Sequence, residues 1–126
     1  MPNYYQPPFN VRTAAILTNS YVAGTVLDMV HFNNQVTLHV SFTKGSLTSA
    51  EIKIEFSQDG TNYTQETNLS ITGGTTTWTL AENTMTATGN YTYSMPIKSK
   101  YVKISAKGTG TVTSSSLSIT AETGNV

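Results

Sequence analysis

Cysteine is absent from the 126-residue chain, which excludes disulfide frameworks, thiolate metal sites and thiol nucleophiles together. Charge is sparse as well. Seven Lys and Arg balance seven Asp and Glu, and Arg12 is the single arginine. A neutral chain of this kind does not hold nucleic acid or a membrane surface by bulk electrostatics. No apolar run approaches the roughly 18 residues of a membrane-spanning helix. The opening Met1-Pro2-Asn3-Tyr4-Tyr5 has neither the basic nor the apolar region of a Sec leader. Export by that route is therefore not expected, nor is glycosylation of the N-x-[ST] matches at Asn62, Asn68 and Asn90.

What the chain has in quantity is hydroxyl: 23 Thr and 13 Ser, over a quarter of its residues. Thr, Val, Ile and Tyr pack well on a pleated surface, and here they alternate with polar residues. In Gln35–Phe42, Val36, Leu38, Val40 and Phe42 share one face while Thr37, His39 and Ser41 share the other. Ala50–Ser57 sets Ile52, Ile54 and Phe56 against Glu51, Lys53 and Glu55. Thr76–Leu80 sets Trp78 and Leu80 against Thr77 and Thr79, and Tyr101–Lys107 sets Val102, Ile104 and Ala106 against Tyr101, Lys103 and Ser105. Leu117, Ile119 and Ala121 form the inner row of the last strand. Period 2 with one wet face is the pattern of antiparallel sheets, and no stretch reads at period 3.6.

Turn residues separate these runs: Asn33-Asn34, Lys44-Gly45-Ser46, Asp59-Gly60, Gly73-Gly74, Gly89-Asn90 and Lys107-Gly108-Thr109-Gly110. The expected fold is all-β, an antiparallel β-sandwich or jelly roll of about eight strands with an extended N-terminal arm. The expected boundaries are an arm over 1–12, one sandwich domain over 13–121 and a short tail over 122–126. Val22–Phe32 is apolar on both parities, as in a central strand covered on both faces or one meeting a neighbouring subunit. The arm carries Tyr4, Tyr5 and Phe9 among Pro2, Pro7 and Pro8, and proline prevents regular ladder pairing. Such aromatics either fold back over their own sandwich or reach a neighbour, and on the second reading Tyr4, Tyr5, Pro7, Pro8 and Phe9 form an interface.

Catalytic chemistry finds little support. His31 and His39 are the only imidazoles, no G-x-S-x-G elbow is present, and His39 alternates onto a polar face expected to be solvated. His31, beside Asp28, reads as a satisfied or subunit-facing histidine. Glu51 and Glu55 flank Lys53 on one outward row, which reads as a solvated, charge-alternating exterior rather than a catalytic pair. Asp59-Gly60-Thr61-Asn62 offers oxygen ligands for calcium, but Asp-Gly after an alternating strand is a hairpin signal. Gly108-Thr109-Gly110 lacks the Lys and helix of a phosphate loop. Lys98, Lys100, Lys103 and Lys107 with Tyr101 form a small basic-aromatic strip, read as a solvated strand face. No catalytic residue, metal ligand or cofactor is expected.

The run from Ala50 to Tyr63, AEIKIEFSQDGTNY, resembles the "strand, S-x-D-G, aromatic" hairpin of discoidin-like and galactose-binding-like sandwiches. Lys100-Tyr101-Val102-Lys103-Ile104 resembles their later "R/K-Y-V/I-R/K-I" strand, and the same pair is similar to that of small β-sandwich phage virion proteins. The resemblance covers about half of the chain. Its motifs concern strand pairing rather than a site, and the bridging cysteines and aromatic binding loops of secreted discoidin domains are missing. What it implies is a non-enzymatic virion structural protein, foremost an accessory capsid subunit of decoration or cement type, next a head–tail or tail-associated component. The partners it implies are other virion proteins (the major capsid protein or tail proteins) and further copies of the chain, in a virion, after synthesis in the host cytoplasm. A small carbohydrate-binding module for host attachment is the reading from another class, with Trp78 as the aromatic platform if it does not belong to the core.

Overall fold

The computed structural model describes residues 4–5, 9–28, 35–65, 67–80, 82–96 and 99–125, among which there is no helix. The strands are β1 (Tyr4–Tyr5), β2 (Phe9–Ala15), β3 (Val22–Ala23), β4 (Leu27–Asp28), β5 (Gln35–Thr43), β6 (Leu47–Ser57) and β7 (Thr64–Gln65). They continue as β8 (Thr67–Thr72), β9 (Thr75–Leu80), β10 (Glu82–Met85), β11 (Gly89–Pro96), β12 (Tyr101–Gly110) and β13 (Ser116–Asn125). All pairings are antiparallel. One sheet runs β2-β13-β5-β11, with β1 beside the far end of β13. The other runs β10-β6-β12-β3, with β7 beside β6 and β4 beside β12.

The short strands merge into longer ones once their registers are followed. β3 meets Ala106 and Ser105 while β4 meets Val102 and Tyr101, so residues 22–28 form one broken edge along β12. Likewise β7 meets Phe56 and Glu55 and β10 continues from Lys53 to Ala50, so both lie on one edge of β6. Between them β8 and β9 leave that edge as a separate hairpin, turning at Gly73 and Gly74 with φ of +57° and +79°. Each sheet thus has four strand positions, as the alternation leads one to expect. Numbered along the chain, the orders are 1-8-3-6 and 5-4-7-2. Every connection changes sheet except the fourth, which closes the β6–β7 turn. This is the double Greek key of a jelly roll.

The inward rows meet between the sheets. Val36, Leu38, Val40, Phe42, Leu117, Ile119 and Ala121 come from one, and Ala50, Ile52, Ile54, Phe56, Val102, Ile104 and Ala106 from the other. Val11, Leu17, Leu27, Leu47 and Met85 close the ends and flank. At roughly 1.5–3 kcal/mol for each large apolar side chain removed from water, this shared layer is the main force holding the sheets together.

Four expectations are corrected. The segment 9–12, expected in an extended arm without regular ladder pairing, pairs with β13, and Tyr4 and Tyr5 pair with Asn125 and Gly124. An edge strand bonds on one side only, so a proline-bearing segment can still pair over the stretches that lack proline. The expected tail past position 121 forms the last rungs of β13, through Asn125. Val22–Asp28 is an outer edge rather than a central strand; residues 29–34, His31 included, lie outside the described residues. Gly108 and Gly89, expected in turns, lie within β12 and at the start of β11. A Cβ at Gly108 would sit 2.7 Å from Leu47 Cδ2 and 3.3 Å from Leu17 Cβ, so that glycine serves close packing, not chain reversal.

Candidate functional site

The four large apolar side chains that stay exposed among the described residues are Phe9, Ile16, Val22 and Val26, from 38% at Val26 to 58% at Ile16. They share one flank, because β2 borders one sheet and β3–β4 the other, and the two borders meet. Thr25 N donates to Val11 O at 2.9 Å, and Gly24 N donates to Ile104 O at 2.9 Å. A Cβ at Gly24 would lie 2.5 Å from Val11 O, so only glycine admits this approach. Arg12 secures the same flank: its Nε donates to Leu117 O at 3.1 Å and its Nη2 to Ile16 O at 3.1 Å and Ala15 O at 3.4 Å. Burial lowers its pKa from the ordinary arginine value.

Of the interface residues expected from sequence, Phe9 stands on this flank, exposed. Tyr4 and Tyr5 are placed by their backbone pairing with β13, and their side chains lie outside the described residues. Pro7 and Pro8 also lie outside them. Ile16 is not singled out in the sequence, whereas Val22 and Val26 belong to the double-parity apolar run at 22–32, read as a central strand or one meeting a neighbouring subunit.

The outer face of the β5 sheet is a hydroxyl and amide platform. Register places Asn90, Ser41 and Ser118 in one row and Thr92, His39 and Thr120 in the next. Together they line a shallow groove of about 300 Å³. His39 is exposed, as expected, with its Nε2 3.9 Å from Glu122 Oε1. Tyr91 and Tyr93 pair with Val40 and Leu38 and therefore turn inward at the sheet margin. Their rings stack at 6.4 Å with 2° between planes, and Tyr91 Oη donates to Ala87 O at 2.5 Å. Burial, then the neighbouring Tyr91, raises the Tyr93 pKa.

The outer face of the β6 sheet departs from the expected solvated row. Glu51 is only 6% exposed, accepting from Ser49 Oγ at 2.6 Å and from Thr109 Oγ1. Glu55 lies 3.7 Å from both Lys53 and Lys103. Tyrosine rings cover the ammonium groups: Lys53 and Lys107 lie 4.6 and 4.9 Å from the Tyr21 ring centre, and Lys103 lies 4.2 Å from that of Tyr63. Of the basic-aromatic strip, Lys103 and Lys107 are thus engaged by a carboxylate and tyrosine rings, Lys100 lies 4.8 Å from the Tyr101 ring centre, and Lys98 lies outside the described residues.

Asp59 proves to be a turn residue. Its Oδ1 accepts from Thr61 N and Asn62 N at 2.8 Å and from Ser57 Oγ at 2.9 Å, while Oδ2 accepts from Asn62 Nδ2 at 2.9 Å. These bonds, the Asn62 and Thr61 amides foremost, hold its carboxyl well below the usual carboxylate range. Gly60, at φ +78°, packs under the Tyr101 ring, and Ser57 pairs with Tyr101 across the ladder. The two motifs that carried the family resemblance therefore meet here and brace one strand pair. Among the described residues no three His, Asp or Glu side chains gather as a metal site. The Trp78 and Leu80 side chains lie outside the described residues. Comparison with family models and with curated proteins finds no match.

Proposed function

We propose that this chain is a non-enzymatic structural protein of a bacteriophage virion, foremost an accessory capsid subunit of decoration or cement type. It would contact neighbouring virion proteins through its N-terminal flank. The observation that carries the reading is that Phe9, Ile16, Val22 and Val26 stay exposed along the two sheet borders that meet on that flank, since exposed apolar surface marks contact sites. Buried aromatic and aliphatic anchors supply most of the energy of such contacts. The jelly-roll strand order adds support by fold-level analogy, because viral capsid domains use this architecture. A head–tail or tail-associated role is the next choice and uses the same physics.

A second reading, a small carbohydrate-binding module, draws on the groove lined by His39, Ser41, Asn90, Thr92, Ser118 and Thr120. Hydroxyl and amide groups of this kind bind sugar hydroxyls, and lectin domains share the fold. Immunogold microscopy on density-banded particles from the source lysate separates the readings. Label spaced over capsids is the expected result, and label at the tail would move the protein to the tail-associated class. Particles free of label overturn the virion reading, and glycan-array binding by the same preparation would then establish the module.

A further inference from the structure

A sheet edge exposes a row of unpaired backbone groups, and proteins that do not use an edge blunt it. Three of the four edges here are blunted. β2 shifts register twice against β13, and Arg12 occupies the carbonyls of Ala15 and Ile16. The β3–β4 edge is broken between Ala23 and Leu27, where the Thr25 amide turns to Val11 O. The β7–β10 edge is interrupted by the excursion of β8 and β9. β11 is different. It keeps unbroken register with β5 from Gly89↔Phe42 to Pro96↔Gln35, and among the described residues it pairs with β5 alone. Gly89–Pro96 holds no charged residue, and proline stands only at its last position.

We propose that β11 is the edge on which two copies of this chain pair, antiparallel, into one sheet continuous across a two-fold axis. A second copy fits because such pairing lays the strand against itself, where a charged edge would oppose like charges and a neutral one does not. Each face also continues in kind. The stacked, half-buried Tyr91 and Tyr93 meet their counterparts on the inner side, and Asn90, Thr92 and Ser94 meet theirs on the outer side. The proposal deepens the assembly reading by naming one partner, and its test needs no particle.

Light scattering on the full chain over a dilution series should give a dimer that dissociates on dilution. Thr92→Lys and Ser94→Lys, both at exposed outer positions, should halve the mass while leaving the circular dichroism spectrum unchanged. Amide exchange along β11 should slow only at concentrations where the dimer is present. Because the chain has no cysteine, Thr92→Cys supplies a unique thiol that should crosslink under mild oxidation, whereas Ser118→Cys, two strands inward, should not. A monomer at every concentration overturns the proposal and leaves the virion reading standing. So does an oligomer that survives both lysine variants with β11 amides exchanging freely. Particles without label, beside a dimer that meets these expectations, would remove the virion reading alone.

Discussion

On the outer face of the β6 sheet, Glu51 is almost fully buried, Glu55 is held between two lysines, and Tyr21 and Tyr63 lie over three ammonium groups. On the outer face of the β5 sheet the corresponding positions carry Ser41, His39, Thr92 and Asn90, all exposed. Both faces arise from the same alternation and the same antiparallel pairing. They differ in side-chain length. Lys, Glu and Tyr reach across strands and satisfy one another, so that face closes on itself. Ser and Thr barely reach the next strand, as at Thr37 and Ser94, whose hydroxyls meet at 3.0 Å, and otherwise point to water. A face that has spent its hydrogen bonds internally serves stability, and one that has not is available to a partner.

The contrast can be broken first at Glu51. Glu51→Ala should destabilise by about 2–3 kcal/mol, because it removes the buried carboxylate to which the Ser49 and Thr109 hydroxyls donate beside Lys107, and Glu51→Gln should recover much of that. Urea unfolding of the three chains measures both effects. Tyr21→Ala, which uncovers Lys53 and Lys107, should cost about 1–2 kcal/mol in the same assay. Ser41→Ala on the other face should fall within about 0.5 kcal/mol of the parent. A loss at Ser41 as large as that at Glu51 would erase the distinction between the faces.

The hairpin at the end of β6 extends the comparison to pH. The Asp59 carboxyl is depressed in the folded chain, so the unfolded chain binds the proton more readily and stability rises with pH between the two values. Its contribution is fully present above the ordinary carboxylate value of 3.8 and is lost as pH falls toward the depressed folded value. The urea midpoint of Asp59→Asn should therefore fall less steeply with acidification than that of the parent. Parallel profiles would mean that the Asp59 hydrogen bonds do not persist in solution.

Much of this fold is written in period 2. The inward rows of β5, β6, β12 and β13 are legible because each apolar residue faces a polar neighbour in sequence, and one buried layer requires that pattern. The Asp59 turn is legible because Asp, Gly and Ser act over two or three residues. Gly108 misled because a glycine that makes room for Leu47 and one that reverses the chain look alike along the sequence. Glu51 misled because the groups that bury it, at Ser49, Thr109 and Lys107, include two from a strand more than fifty positions away.

The candidate contact surface divides in the same way. Aromatics near the N-terminus drew attention to this region, yet the flank exists only because Gly24 and Val11 bring two sheet borders together. The open edge at β11 was invisible for the same reason. Nothing in Gly89–Pro96 distinguishes an edge strand from a central one until its neighbours are known. Alternation, turn chemistry and the all-β class follow from local rules acting within a few residues. Strand order, the meeting of the borders and the choice of a free edge depend on pairing between residues far apart in the chain, and local periodicity carries no information about which strands will pair.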